Sequence, residues 1–545
     1  MKTKIKFILF LLNRFFGKIY FRLKVLSSNG INTNQLRLLF IVDDTLDEKK
    51  CCPLYKKITN WNQINSKITV KRISEIFENT ENPNFESLFS KIENFDFVWL
   101  DIGKVTPIEK AINALNDYYT KQIDREKIFT FDTLNFVNSY PFFKPNFSPE
   151  LFDDIDYLEG AVFFPKSIFL DINISNKLNF LELYTYLILK FYNQSNQFIR
   201  IPEIGFIAYK IPKIEESHHK RIQFLLNQKI NNEDHNSIEI PNTILQNNIP
   251  LISIIIPFRD KVELLKVVVD SIIQKSKYQK FELVLVSNQS QEKETLQYLK
   301  FIKKEYNNII ILKYDQIFNF SAMNNFAAER ANGELLFFLN NDTEAISEDF
   351  LEKLSFFALK KHVGAVGPKL LFEDGKIQHA GVILGLTGLA EHAFKDIPDH
   401  DGFDSFGSAQ WTRNYLAVTA AALMIEKRKF NLIGGFNEKL VVCGNDVDLG
   451  IRLYEAGFRN VYLPSVKLFH FESKSRKGSK IPEGDYLESI KSYGKYLKNG
   501  DPYFHPCLNL TYPWLSFNFS DKPSHKINLE KMKKLMSNIF INSGL

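Results

Sequence analysis

The sequence has no apolar run approaching the ~20 residues that cross a bilayer, and its longest N-terminal run, residues 7–12, is followed by no small-residue cleavage site. Cysteine is scarce. Only four occur, Cys51, Cys52, Cys443 and Cys507, without CxxC or Cys/His spacing, which removes the common structural zinc motifs. Adjacent Cys51 and Cys52 are poorly placed to pair with each other, and this usage fits a reducing compartment. Neither GxGxxG nor GxxxxGK[ST] appears, so the dinucleotide and P-loop fingerprints are missing. Charge of one sign is also lacking: a net +6 over 545 residues leans weakly toward anionic partners and gives no case for nucleic acid. What is present is ordinary globular composition, 45% hydrophobic and 24% charged, in a chain long enough for about two to four domains.

At helical spacing Ile8, Leu12, Phe15, Ile19, Leu23 and Leu26 share one side, and Lys2, Lys6, Arg14, Lys18, Arg22 and Lys24 fill the rest. Residues 1–28 are therefore expected to form a basic amphipathic helix suited to an anionic membrane surface; the alternative is a helix docked on the protein's own core. Residues 29–213 read as an α/β unit. Strands are expected at 36–42, 95–100, 129–132, 161–164 and 199–209, with helices opened by Thr106 and Pro107 and at 180–192. Residues 214–249 are polar and rich in Asn, Asp and Ser, as in a linker, and residues 518–545 form a basic tail.

From residue 250 the alternation is regular. Strands are expected at 251–256, 281–286, 309–312 and Leu335–Leu339, and helices at 261–274, 291–305 and 321–331, the last capped by Ser321. This pattern is that of a doubly wound α/β domain with a parallel sheet. A further helix is expected from Ser347, and strands at 377–384, 415–425 and 461–471. Residues 381–407, glycine-rich and polar, are expected as a mobile loop over a site.

Leu335–Leu339 is wholly apolar and stops at Asn340-Asn341-Asp342-Thr343-Glu344. Polar side chains at the C-terminal end of a buried parallel strand mark the ligand crevice of such sheets, and a carboxylate there can hold a divalent cation against a diphosphate. A turn in which these residues only cap backbone groups is the plainer alternative. Pro257, Arg259 and Asp260, then Ser287 and Asn288, then Asn319 occupy the neighbouring strand ends. Asp446 and Asp448 stand at a helix start, where the dipole favours ionised carboxylates; one can serve as a general base and the other as a cap. His470 ends an apolar strand ahead of Lys474, Arg476, Lys477 and Lys480, a basic run able to screen phosphate.

The ordered stretches IIIPFRD, YQKFELVLVSNQS, FNFSAMNN, GELLFFLNNDTE, IQHAGVILG, RNYLAVTAAALMI, NDVDLGIRLYEAGFRNVYLP and LFHFES resemble the family-2 glycosyltransferases of GT-A fold over residues 250–517. They are most similar to the bacterial branch that includes O-antigen and other surface-polysaccharide rhamnosyltransferases. The resemblance implies that Asn340-Asn341-Asp342 replaces the family's DxD, with Asp342 and Asn340 at a Mg²⁺ or Mn²⁺ ion and Asn341 near the donor ribose. It implies Asp446 as the catalytic base and His470 as a C-terminal metal ligand. Pro257, Arg259, Asp260, Ser287 and Asn288 would surround the nucleotide base, Asn319 and Asn324 would face the ribose and diphosphate, and Arg476 the phosphates. His379, Gly381, Trp411, Asn414, Thr419 and Asp448 would shape the sugar and acceptor pocket. Asn340, Ser287 and Phe471 depart from the acids and second histidine usual in the family.

Residues 29–213 resemble a worn copy of the same domain. DFVWLDIGK is similar to the DxD strand with Lys104 as its last residue, no clear front βαβ pair is seen, and only Glu182 stands near the base position. The implied activity is inverting transfer of a sugar, rhamnose among the donors, from a nucleotide-diphospho-sugar to a hydroxyl of a lipid-linked or growing surface glycan. The implied place is the cytoplasm, peripheral at the inner face of the cell membrane. The rival reading is a non-catalytic scaffold in a polysaccharide assembly complex.

Overall fold

A computed structural model of the chain describes residues 36–42, 67–72, 91–100, 105–121, 126–135, 141–170, 180–191, 194, 197–208, 249–400, 402, 405–471, 481–512, 516–520 and 522–535. The expected N-terminal helix, the linker and the basic run with Arg476 lie outside the described residues. The chain divides into two compact units, residues 1–240 with 404–407, and residues 241–403 with 408–545.

The first unit holds β1 (Leu38–Val42), β2 (Ile68–Arg72), β3 (Phe97–Leu100), β4 (Val105–Pro107), β5 (Ile128–Asn135), β6 (Pro141–Phe142), β7 (Val162–Pro165) and β8 (Phe198–Ala208) in one sheet. Its helices are α1 (Glu109–Thr120), α2 (Lys166–Leu170) and α3 (Phe180–Lys190). The sheet order is β2-β1-β3-β7-β5-β8-β4, with β6 on β5. β1 and β3 are apolar runs, and aromatic side chains of β1, β5 and β7 interlock edge to face: Phe40 lies 5.8 Å from Phe163, and Phe131 5.9 Å from Phe163. Thr106 and Pro107, expected to open a helix, lie instead in β4, and α1 starts at Glu109. β2 was not anticipated, because its lysine and arginine break the apolar run; paired parallel to β1, it supplies the parallel front that the sequence did not reveal.

The second unit alternates β9 (Ile252–Phe258), α4 (Val262–Lys275), β10 (Phe281–Ser287), α5 (Lys293–Glu305), β11 (Ile309–Lys313), α6 (Phe320–Arg330) and β12 (Leu335–Leu339). Then follow β13 (Thr343–Ala345), α7 (Phe350–Ala358), β14 (Val363–Leu371), β15 (Ile377–His379), β16 (Val382–Leu384), β17 (Ala390–His392), β18 (Arg413–Tyr415) and β19 (Ala422–Glu426). α8 (Lys427–Leu432), α9 (Asn445–Glu455), β20 (Arg459–His470), α10 (Glu483–Asn499) and α11 (Ser524–Leu535) complete it. The sheet order is β11-β10-β9-β12-β19-β14-β20-β13, with β15 on β14 and β18 on β20. β12 is buried on both faces. Leu335, Phe337 and Leu339 join the core with α4 and α7, while Phe338 meets Phe436 at 4.9 Å and Phe430 at 5.1 Å on the other side.

Several expected boundaries shift for local reasons. α6 is capped by Asn319, whose side chain accepts from Ala322 N, not by Ser321, whose hydroxyl donates to Leu440 O. α7 starts at Phe350, because Ser347 Oγ is engaged by Lys467 N. The strand expected over 377–384 breaks at Gly381 (φ +99°), where a Cβ would sit 2.2 Å from the Tyr415 ring. The strand expected over 415–425 likewise splits into β18 and β19. Residues 381–407, expected as a mobile loop, contain the hairpin β16–β17 and buried Ala393, Phe394 and Phe406.

The two units repeat one plan. β2-β1-β3-β7-β5-β8-β4 matches β10-β9-β12-β19-β14-β20-β13 strand for strand, with the same parallel or antiparallel sense at every pairing. β6 on β5 corresponds to β15 on β14. Register then aligns side chains: Thr343 lies opposite His470, and Val105 opposite Ala208. Lys104 thus precedes β4 as Asp342 precedes β13, and Ala208 takes the place of His470.

In the second unit, three residues join β12 to β13, although β19, β14 and β20 lie between them in the sheet. Strand spacing puts neighbours ~4.8 Å apart, and a linker of that length reaches about 14 Å, so the sheet curls to bring both ends together. A buried ion pair fastens β14 to β20 within that curl. Lys369, wholly buried, meets Asp399 Oδ1 at 2.7 Å, and Lys467 meets Asp399 Oδ2 at 2.7 Å. Burial opposes charge on Asp399, but hydrogen bonds from Lys369, Lys467 and Gln410 outweigh it and hold its carboxyl well below the usual range. Stability from a depressed carboxylate is complete above its unfolded value of about 3.9 and fades as pH falls below it. Asp399→Asn, which removes the carboxylate facing Lys369 while Gln410 still accepts from it, is expected to cost about 3 kcal/mol at pH 7. Denaturant titrations from pH 7 to pH 3 should show the variant's deficit shrinking below about pH 4; a deficit constant with pH contradicts this role.

Candidate functional site

The parallel strands run β11-β10-β9-β12, so successive connections leave β9 in opposite directions. That reversal opens a crevice at the C-terminal ends of β9 and β12. A cavity of about 1140 Å³ lies there, lined among others by Pro257, Arg259, Asn288, Asn340, Asn341, Asp342, Thr419, Asp446 and His470. Residues from distant parts of the second unit thus share one cleft.

The β13–β20 pairing sets the first pair of groups. With Thr343 opposite His470, Asp342 Oδ1 comes within 3.2 Å of His470 Nε2. His470 Nδ1 lies 2.6 Å from Gln378 Oε1. A carbonyl oxygen only accepts, so Nδ1 carries a ring proton, and in the neutral ring Nε2 presents its lone pair toward Asp342. Asn340 Nδ2 lies 3.4 Å from the same Nε2, so Asn340 offers its nitrogen to the histidine and does not add a third oxygen. A carboxylate and an imidazole lone pair, both buried and with the ring oriented by a second residue, fit Mg²⁺ or Mn²⁺. Among the described residues no three His, Cys, Asp or Glu side chains gather; phosphate and water would fill the remaining positions, as such ions prefer.

Asp446 occupies the first turn of α9, behind Gly444 (φ +79°). Its Oδ2 accepts from Ala420 N at 3.1 Å and its Oδ1 from Val447 N at 2.8 Å. Each oxygen keeps a lone pair for a further hydrogen bond or a proton. α9 is pressed close: a Cβ on Gly450 would meet Leu416 O at 2.5 Å. Asp485, in the first turn of α10 and wholly buried, accepts from Val441 N, Val442 N and Cys443 N at 3.0, 2.8 and 2.9 Å. Tyr493 donates to Gly444 O. The segment leading to Asp446 is therefore fixed by α10, a helix that the sequence reading did not single out.

Other expected site residues are used elsewhere. Asp260 Oδ1 accepts from Gln291 N and Glu292 N, capping the entry to α5. Ser287 ends β10, nearly buried, and its carbonyl accepts from Tyr314 N. Asn319 donates to Glu438 O and Asn324 to Phe320 O, so FNFSAMNN builds a helix start and a strap to residues 436–440. Trp411 and Asn414 are buried, Asn414 donating to Asn460 O. Asp448 pairs with Arg452 at 2.7 Å and accepts from Ser492. His379 and Gly381 stand behind the cavity wall. Gln378, His392 and Asp485 were missed: single polar residues in unremarkable sequence become legible only through their partners.

Residues 253–392 match the family model Glycosyl transferase family 2. The chain is 44% identical over 263 residues to the O-antigen biosynthesis protein RfbC of Myxococcus xanthus, covering 48% of this chain and 20% of that protein. It is 36% identical over 58 residues to the N-acetylglucosaminyl-diphospho-decaprenol L-rhamnosyltransferase of Mycobacterium tuberculosis, covering 11% of this chain and 19% of the other. The chain thus spans about a fifth of the length of either relative. Among solved structures, GalNAc-T7 with UDP, GalNAc and Mn²⁺ aligns at 16% identity with a TM-score of 0.39, over 47% of this chain and 50% of that one. The ends of β9 and β12 that open the cleft lie within the matched segment, with Thr419, Asp446 and His470 beyond it, and residues 253–392 of the chain form a family-2 glycosyltransferase domain.

Proposed function

We propose that the second unit transfers a sugar from a nucleotide-diphospho-sugar to a hydroxyl of a glycan acceptor, with inversion at the anomeric carbon. The observation that carries this reading is that Asp342, His470 and Asp446 line one cleft at the switch point of the sheet. Asp342 and His470 Nε2 would hold Mg²⁺ or Mn²⁺, which when bound neutralises the diphosphate and its growing charge as the leaving group. Pro257, Arg259 and Asn288 line the end of the cleft suited to the nucleotide. Asp446 accepts the proton of the acceptor hydroxyl while that oxygen bonds to the anomeric carbon and the bond to phosphate breaks. The proton stays on Asp446 and the electron pair leaves with the nucleoside diphosphate. Similarity to proteins named for O-antigen biosynthesis and for L-rhamnosyl transfer to a diphospho-decaprenol favours a rhamnosyl donor and a lipid-linked acceptor.

The first unit is proposed as a non-transferring copy. Ala208 stands by register where His470 stands, and in the sequence Lys104 immediately precedes β4 as Asp342 precedes β13. Counting back from the matched strand ends, Glu159 stands where Ala420 stands, and it pairs with buried Lys144 at 3.7 Å. Among the described residues no helix is long and apolar enough to cross a membrane; a peripheral site at the inner membrane face, through residues 1–28, is part of the proposal.

Asp446→Asn keeps the shape of the base but not its basicity. Transfer should fall roughly 10²–10⁴-fold while Mn²⁺-dependent nucleoside diphosphate binding, read by calorimetry, stays within about twofold of wild type. Full activity rejects the assignment. Asp342→Ala should abolish the tightening of nucleotide binding by Mn²⁺, and equal affinity with and without chelator in the wild type counts against the metal. Gln378→Leu, which frees the His470 ring, should weaken Mn²⁺ binding about tenfold; unchanged affinity removes Gln378 from the site.

A further inference from the structure

The hairpin β16–β17 forms a two-stranded sheet of its own, bridged to Ala417 at Val382, and its residues Thr387 to His392 form one wall of the cleft. His392 closes that wall. Behind it lies His379, wholly buried, with the two imidazoles edge to face at 87° and their Nδ1 atoms 2.7 Å apart. A contact so short requires one proton between two nitrogens, and the surroundings decide its owner. His379 Nε2 faces Gly381 N at 3.4 Å and Thr419 N at 3.5 Å. Backbone N–H groups only donate, so Nε2 holds a lone pair and the His379 proton sits on Nδ1. Burial, with His392 and His470 nearby, holds His379 well below the usual imidazole range, which keeps it neutral. His379 therefore donates to His392, and His392 must accept on Nδ1 and carry its own proton on Nε2, at the ring edge away from His379.

We propose that His392 is a specificity-determining residue whose Nε2–H donates to a sugar oxygen in the cleft, in a tautomer fixed by His379. The proposal rests on the reading of this cleft as a sugar-nucleotide site, and its ligand class is a sugar hydroxyl or ring oxygen, from donor or acceptor. Preorganisation is the physical advantage. A histidine alone presents either tautomer to a ligand, whereas here the donor is set before binding, with no rearrangement of the proton. His379 acts only through His392 and is a positioning residue.

The test uses the full chain with Mn²⁺, uridine, guanosine and deoxythymidine diphosphates, and a hexose conjugate of each. Calorimetry on wild type first identifies the nucleotide that binds. Binding of no nucleotide would overturn the sugar-nucleotide reading itself. His392→Phe, which keeps a ring without the N–H, should then lose about tenfold in affinity for the sugar conjugate while the parent diphosphate binds within twofold of wild type. His392→Gln, which restores an N–H donor, should recover most of that loss. If the oxygen belongs to the acceptor, His392→Phe instead raises the acceptor KM about tenfold with donor binding intact. The proposal is overturned if sugar conjugate, parent diphosphate and acceptor are all unaffected. An equal loss for conjugate and parent diphosphate, with no recovery in His392→Gln, also overturns it, since that marks a general disturbance of the wall.

Discussion

The antiparallel pairing of β13 with β20 is the constraint on which the cleft depends. It sets Thr343 opposite His470, and so places the carboxylate of Asp342 beside an imidazole that comes from far along the chain. Only three residues separate β12 from β13, so this pairing also forces the sheet to curl. The curl brings β13 and β20 back to the end of β12, which β19 already flanks and beside which Ala420 N anchors Asp446. One short strand thus couples the metal-holding position to the proton-accepting one. The buried Lys369–Asp399–Lys467 group, joining β14 and β20, reinforces the same curl from within.

The first unit repeats this scaffold with different chemistry. Its strand order and every strand sense match those of the second unit, yet an alanine stands where His470 stands, and a lysine precedes in sequence the strand that matches β13. Its interior is dominated by aromatic packing and by the buried Lys144–Glu159 pair. The comparison separates two things that a fold alone confounds: the curled sheet supplies a place for a site, and the few residues at its strand ends supply function.

The alternation of strands and helices from residue 250 was legible because buried parallel strands are written as apolar runs; Leu335–Leu339 coincides with its expected bounds. Asp342, Asp446 and His470 stood out in the sequence as candidates, Asp342 and His470 at the ends of apolar strands and Asp446 at the start of a helix, and the structure brings the three to one cleft. Other residues were not legible. Asn319 and Asn324 stand in a motif that reads as ligand-facing, but a helix start and a loop strap compete for their amides. Asp260 and Asp448 are consumed by a cap and by Arg452. Conversely, Asp485 is one acid in a polar helix, and nothing in its neighbours announces three backbone donors from forty residues upstream. Period and hydropathy locate elements; the partner of a single polar side chain is a property of tertiary structure. The same reason hides the front of the repeat, which the sequence showed only as a worn copy, because β2 carries a lysine and arginine and lost its signature while keeping its place in the sheet.

The central claim is that Asp342 and His470 form two sides of one cation position facing the diphosphate. Anomalous diffraction at the manganese edge, from crystals of the full chain grown with Mn²⁺ and a nucleoside diphosphate, tests it most directly. The account predicts one strong peak between Asp342 Oδ1 and His470 Nε2, in contact with phosphate oxygens and on the same side of the cleft as Asp446. A diphosphate bound in the cleft with no manganese at that position, or manganese held elsewhere in the second unit, would contradict it.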